Sequence, residues 1–231
     1  MIEHLFSKMF RFCIPEKKSM PLHGKLGELS WQLDLEGTLN IRGAGAMPDY
    51  EDSPWDEKFR KLIKRVIISP DVTSLGDFAF WCCESLTSIS IPEGATRIGR
   101  NAFTNCHSLD SIAIPESVKH IGEMTFAGCD SLLSITLPVG ITSIEKYTFF
   151  ACSSLTSIIM SGNIEHIEVY AFSGCSSLQN ITIEAMKPPA INFETFQKSP
   201  TKTIYVPEKS IEIYRNTNTW KYFEIQTISK Q

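Results

Sequence analysis

The sequence predicts an α/β repeat solenoid with covered ends, and three observations point to it. Five cysteines stand 23 residues apart, at Cys83, Cys106, Cys129, Cys152 and Cys175. A phenylalanine precedes each by three positions (Phe80, Phe103, Phe126, Phe149, Phe172). A leucine follows each by three (Leu86, Leu109, Leu132, Leu155, Leu178), and an isoleucine by six (Ile89, Ile112, Ile135, Ile158, Ile181). A fixed period of this length marks units that bury their apolar faces only against their neighbours. Solenoids present long exposed surfaces, so the same pattern favours binding over catalysis.

Residues 1–23 read as a poorly ordered leader. Residues 24–62 read as an N-terminal cap made of a hairpin and a helix. In it Trp31, Leu33 and Leu35 alternate, Glu36-Gly37 can turn, and Leu39 and Ile41 alternate back. Ser53-Pro54 then suits a helix N-cap and first position, with Trp55, Phe59, Leu62, Ile63 and Val66 on one face. Residues 63–200 hold about six repeats. In the type unit Ile89 and Ile91 alternate with serines, which predicts a short strand with one face buried, and Pro92 ends it. Ala95 and Ile98 supply a second inward set, and the Ala-Phe pair enters the core from a tight helical turn. Equivalent strands pair in parallel. Residues 201–231 read as a short C-terminal cap: Ile204 and Val206 on a strand, a short helix with Ile211 and Tyr214, then Trp220 and Phe223 over the last repeat.

The repeat S-L-x-S-I-x-I-P followed by I-G-x-x-A-F-x-x-C resembles the BspA-type leucine-rich repeats of bacterial surface and secreted proteins. The K-P-P insertion of the last repeat is similar too, as are G-T-L-N-I-R-G-A-G-A-M-P-D-Y with S-P-W at the front and Y-V-P-E-K-S-I-E-I-Y at the back. The resemblance implies a non-enzymatic protein-binding module, adhesin-like, at a cell surface or secreted. Host matrix proteins, other bacterial surface proteins or glycans would be its partners, and no cofactor is implied. The first residues, MIEHLFSKMFRFCIPEKK, make a poor export signal, with an acid at position 3 and Lys8 and Arg11 inside the apolar stretch. An intracellular interaction scaffold is therefore one alternative reading, and a carbohydrate-binding surface protein is a separate one.

The formal charge of −4 gives no reason to expect nucleic acid, and no run approaches the length of a membrane span. Catalytic and metal sites find no support. A column spreads its thiols along a line, whereas tetrahedral zinc needs them to converge, so the five cysteines read as small core residues. Cys13 and Cys82 fall outside the column and are the more reactive candidates. His120 and His166 lie two units apart, too far to share a metal, and His107 stands near Asp110. Lys58, Arg60, Lys61, Lys64 and Arg65 read as the solvated outer face of the cap helix. The strand face offers columns of small residues, from Ser88 to Asn180 and from Ser90 to Thr182, without an anchor. The turn side carries Phe78, Trp81, Met124, Tyr147, Phe150 and Tyr170 at the two variable positions around the Ala-Phe pair. Either these side chains pack flat along the stack or they project as a binding face. The second reading makes them the candidate site.

Overall fold

The computed structural model describes residues 22–201 and 203–228, so all but two residues of the expected leader lie outside the described residues. It is a parallel-strand solenoid of about eight turns with few helices. Strands β1 (Leu22–Leu26), β2 (Leu29–Leu33) and β3 (Thr38–Arg42) form an antiparallel meander. Trp31, Leu33, Leu39 and Ile41 face inward as their alternation requires, whereas Leu35 is exposed and belongs to the turn. That turn is held by Asp34, whose Oδ1 accepts from the amides of Glu36 and Thr38. Gly37 completes it at φ 89, with the Leu62 carbonyl 2.5 Å from where a Cβ would stand.

After β4 (Gly45–Ala46) the chain makes helix α1, which is confined to Glu57–Arg60 and capped by Asp56 rather than Ser53. Residues 62–66 leave the helix because Lys64 and Arg65 donate their amides to the Gly37 carbonyl, which starts a strand. Trp55 is buried all the same, its Nε1 donating to the Ala79 carbonyl at 2.7 Å.

The first ladder continues through β5 (Arg65–Ile68), then, past β6 (Val72–Leu75), through β7 (Ser88–Ser90). A second ladder joins β4, β6, β8 (Arg97–Ile98) and β9 (His120–Ile121). Farther along, β10 (Ser134–Thr136), β12 (Ser157–Met160) and β14 (Asn180–Ile183) rebuild the first ladder, and β11 (Ser143–Ile144) with β13 (His166–Ile167) the second. Strands β15 (Thr203–Val206) and β16 (Glu224–Thr227) extend the first ladder in parallel. Between them lies α2 (Ile211–Asn216). Tyr214 and Trp220 are buried there and bond the carbonyls of Ala185, just before the K-P-P insertion, and of Pro189, its last residue.

The Ala-Phe turn is not helical. Its alternate amides are taken by the next unit, Phe78 to Arg100, Phe80 to Ala102 and Cys82 to Thr104, and the intervening amides of Ala79, Trp81 and Cys83 close single turns onto the residue three back, so no continuous helix forms. This third line of bonds repeats at every unit and throws two residues per turn into the left-handed region: Phe78, Asn101, Met124, Tyr147 and Tyr170, and Cys82, Asn105, Gly128, Ala151, Gly174 and Lys198.

The core is a single column. Phe80, Phe103, Phe126, Phe149 and Phe172 stack nearly parallel with centroids 5.2–5.6 Å apart. Trp55 continues the stack at the front and Phe196 at the back. Beside it runs a column of thiols. Cys106, Cys129, Cys152 and Cys175 each donate Sγ–H to the phenylalanine carbonyl 26 residues back, at 3.0–3.2 Å. Ser199 takes the same role at the end, bonding Phe172 at 2.7 Å. Burial pushes the Cys83 and Cys129 thiols well above their ordinary range.

The front is tied to the repeats by charge. Asp77, nearly buried, pairs with Arg97 and with Arg100 at 2.9 Å, and Asp49 binds the Asp77 amide and Arg97. The Asp77 N–H, aided by Arg97, holds the Asp49 carboxyl below its usual range.

The two ladders break at one place. Ser111–Ile114, the strand position of the third full repeat, lies in neither sheet, and the second ladder stops at β9 and restarts at β11. Ile112 is half-buried, as Ile89 is, and Ile114 is half-buried where Ile91, Leu137, Met160 and Ile183 are buried. Asp110 stands at the head of this unlinked segment. The equivalent Thr87 and Thr156 each donate amide and hydroxyl to the carbonyl of the preceding unit. A carboxylate has no proton to give and repels that carbonyl, so Asp110 turns to the Ser111 hydroxyl at 2.7 Å instead. Amide exchange at Ile112–Ile114 is therefore expected to be about 100-fold faster than in β12. Asp110→Thr should slow it by about tenfold, and exchange unchanged by that substitution would assign the break to another cause.

Candidate functional site

The turn side presents the six candidate side chains as two groups rather than one patch. Tyr147 and Tyr170 stack with centroids 5.1 Å apart, and Phe150 meets Tyr147 edge-on at 5.7 Å. Phe150 is 38% exposed, the tyrosines half-buried. At the other end Phe78 lies beneath Arg100 at 5.3 Å and Trp81 beneath Arg60 at 5.0 Å, both as cation–π pairs. Met124 stands between, half-buried, and Asn101, Thr104 and Ala127 fill the intervening positions. These side chains thus pack along the stack or under arginines while keeping part of their surface exposed.

Their backbone is the telling feature. Phe78, Met124, Tyr147 and Tyr170 sit at φ 57–59, in a region that large side chains occupy at a cost and that asparagine or glycine fills readily. Asn101, in the same column, shows the residue this conformation favours.

Phe193 adds an aromatic that the repeat register hides. It is 87% exposed, but the last unit is one residue longer, so it falls one position ahead of the tyrosine column. An aromatic in the lengthened unit was its only trace in the sequence. Tyr222, 81% exposed, lies at the same end of the chain.

Some of the other expectations are corrected. Cys82 is buried, with the Asn105 side-chain amide 3.5 Å from its sulfur, and so is withdrawn from reaction; Cys13 lies outside the described residues. His107 pairs with Asp130 of the following unit at 2.8 Å, not with Asp110. His120 and His166 are exposed, and among the described residues no group of three or more acids, histidines or cysteines could hold a metal. The basic run does not form one helix face: only Lys58 and Arg60 lie in α1, Lys61 pairs with Glu57 at 2.8 Å, and Arg65 starts β5. The strand-face columns are exposed or half-buried throughout, and Thr203, Tyr205, Glu224 and Gln226 extend them. Among the described residues no helix is long and apolar enough to cross a membrane.

Residues 56–123 and 96–224 match, in six copies, the family described as BspA type Leucine rich repeat region. None of the curated proteins matches the sequence. Among solved structures, a leucine-rich repeat protein from Eubacterium ventriosum is similar at a TM-score of 0.65 and 23% identity, over 84% of this chain and 55% of its own. A T. pallidum leucine-rich repeat protein is similar at 0.55 and 21%, over 86% and 92%. A leucine rich cell surface protein from Faecalibacterium prausnitzii follows at 0.47 and 20%, over 84% and 72%. The chain thus spans about half the length of the first of these, and at such identities the likeness establishes the fold alone.

Proposed function

Since this chain belongs to the BspA-type leucine-rich repeat family, we propose that it is an adhesin-like protein-binding module, displayed at a bacterial surface or secreted. Leucine-rich repeats of this kind are non-enzymatic scaffolds in general, and in bacterial leucine-rich repeat proteins they serve as protein-interaction modules. The turn side is the docking face, and Phe78, Trp81, Met124, Tyr147, Phe150 and Tyr170 are its contacts. The supporting observation is the backbone cost just described. Large side chains held at φ 57–59 along one column oppose folding stability, and their retention fits a use outside the fold. Aromatic edges in a rigid row also suit a protein interface, where truncating an anchor typically costs 2 kcal/mol or more.

The test uses the triple variant Trp81→Ser, Tyr147→Ser, Phe150→Ser against a panel of immobilised host matrix proteins. Affinity for the bound member should fall by about 30-fold or more. Unchanged affinity in a folded variant removes this face from the reading. Location is tested separately by protease shaving of native cells: loss of the protein from intact cells supports display, and full protection with recovery in the cytosol supports the intracellular scaffold instead.

A further inference from the structure

On the first ladder rather than the turn side, the outer face of the front meander carries a second surface. Its side chains form a small grid fixed by register. His23 on β1 stands opposite Gln32 on β2, which stands opposite Asn40 on β3. In the next row Lys25, Ser30 and Arg42 are aligned in the same way. Ser30 is the short member, flanked by two long cations, and the result is a depression of about 360 Å³ lined by these six residues together with Gly24 and the buried Trp31. Gly24 belongs to its wall for a packing reason: a Cβ there would lie 2.7 Å from the Trp31 indole nitrogen.

No acid lines the depression, although the chain as a whole carries −4. Among the described residues, His23, Lys25 and Arg42 take part in none of the ion pairs, which instead engage Lys61, Arg97, Arg100, His107 and Arg215. The side-chain amides of Gln32 and Asn40 are likewise unengaged, and the Ser30 hydroxyl reaches only the Arg42 carbonyl at 3.4 Å. A lysine on the edge strand β1 has an ordinary explanation, since charge there blocks pairing with another sheet. That explanation does not reach Arg42, on the inner strand β3, nor the two amides beside it.

We propose that this depression binds an acidic saccharide. Lys25 and Arg42, facing each other across Ser30, suit one carboxylate or sulfate group, Arg42 with its planar fork and Lys25 as a point charge. Gln32 and Asn40 each offer donors and an acceptor, which matches the hydroxyl pairs of a sugar ring. The two rows lie about 7 Å apart along the strands and span about 10 Å across three strands, room for one or two rings. Nucleic acid fits poorly, because the grid holds no exposed aromatic on which a base would stack. The site is separate from the turn-side face, so either can fail alone.

The experiment is calorimetric titration of the full chain at low salt with three probes: a heparin tetrasaccharide, an oligogalacturonate of similar length, and a neutral cello-oligosaccharide. Binding of one or both acidic probes is expected, and which of them binds tells sulfate from carboxylate. Lys25→Gln with Arg42→Gln should weaken that binding by about tenfold or more, with the thermal midpoint unchanged because both side chains are exposed. Lys58→Gln with Lys61→Gln, a second exposed basic pair, should leave it unchanged. The proposal is overturned if no acidic probe binds at millimolar concentration or if the neutral sugar binds as well. It also falls if the two double variants lose binding equally, which would be diffuse charge attraction.

Discussion

Phe126→Ala is expected to lower the unfolding free energy by about 4 kcal/mol. Its ring lies between Phe103 at 5.6 Å and Phe149 at 5.4 Å, within 8° of parallel to both, and the side chain is fully buried. A solenoid has no second layer to close over a void, because each unit touches only the units before and after it. Truncation therefore removes the contacts on both faces at once, each aromatic pair adding roughly 1 kcal/mol beyond simple burial. Urea denaturation measures the loss. Phe196→Ala, at the half-buried end of the stack, should cost clearly less. Equal losses at the two positions would show that stability is not summed from neighbouring interfaces, and a loss under about 1 kcal/mol at Phe126 would show that the column relaxes around the gap.

Gly76→Ala should be comparably damaging for a different reason. A Cβ at this position would stand 1.8 Å from the Pro48 carbonyl oxygen and 2.5 Å from its carbon. Both are backbone, so no side-chain rotation relieves the clash. The segment that carries Met47, Asp49 and Trp55 must move away from the repeats, breaking the Met47 amide bond to Ser74 and the Asp49 bond to Asp77. A loss of about 3 kcal/mol or more is expected. Faster hydrogen exchange at Met47 and Asp77, with β14 unaffected, would be its local mark. Gly99 and Gly122 meet the preceding turn in the same manner, at 2.4 and 2.5 Å, whereas Glu145 and Glu168 hold the equivalent position beyond the ladder break.

The parts of the fold that repeat were legible because repetition removes ambiguity. Phe80 through Phe172, the cysteine column and the isoleucines Ile135, Ile158 and Ile181 are buried at the positions their spacing indicates, with Ile89, Ile112 and Ile114 half-buried. The helix before the repeats was less legible, since Trp55, Ile63 and Val66 lie inside whether the chain between them is helical or turns into β5. Contacts between units were hidden for another reason. In a stack the nearest neighbour of a residue is the one 23 positions away, so His107 finds Asp130, and Tyr147 finds Tyr170. The variable positions around the Ala-Phe pair could be read as surface, but not the left-handed backbone that makes their aromatic occupants costly. The front grid was invisible to a reading of motifs, because Lys25, Ser30 and Arg42 meet only through the register of two antiparallel pairings. Asp110, a carboxylate at a position that Thr87 fills one unit before and Leu133 one unit after, was the one visible sign of the ladder break.

That break gives the rod a mechanical polarity across its width. At the third repeat the turn side stays bonded, Met124 to Lys146 and Phe126 to Thr148, while the strand side is slit. A crease held along one edge opens toward the other, so bending about this line costs less than bending at any fully laddered unit. For a protein anchored at one end and gripping a partner along its turn side, shear would be absorbed at the crease before it reached the grip. Stretched from its ends, the chain should yield first at residues 110–114, and the two halves should come apart as separate extension events rather than one.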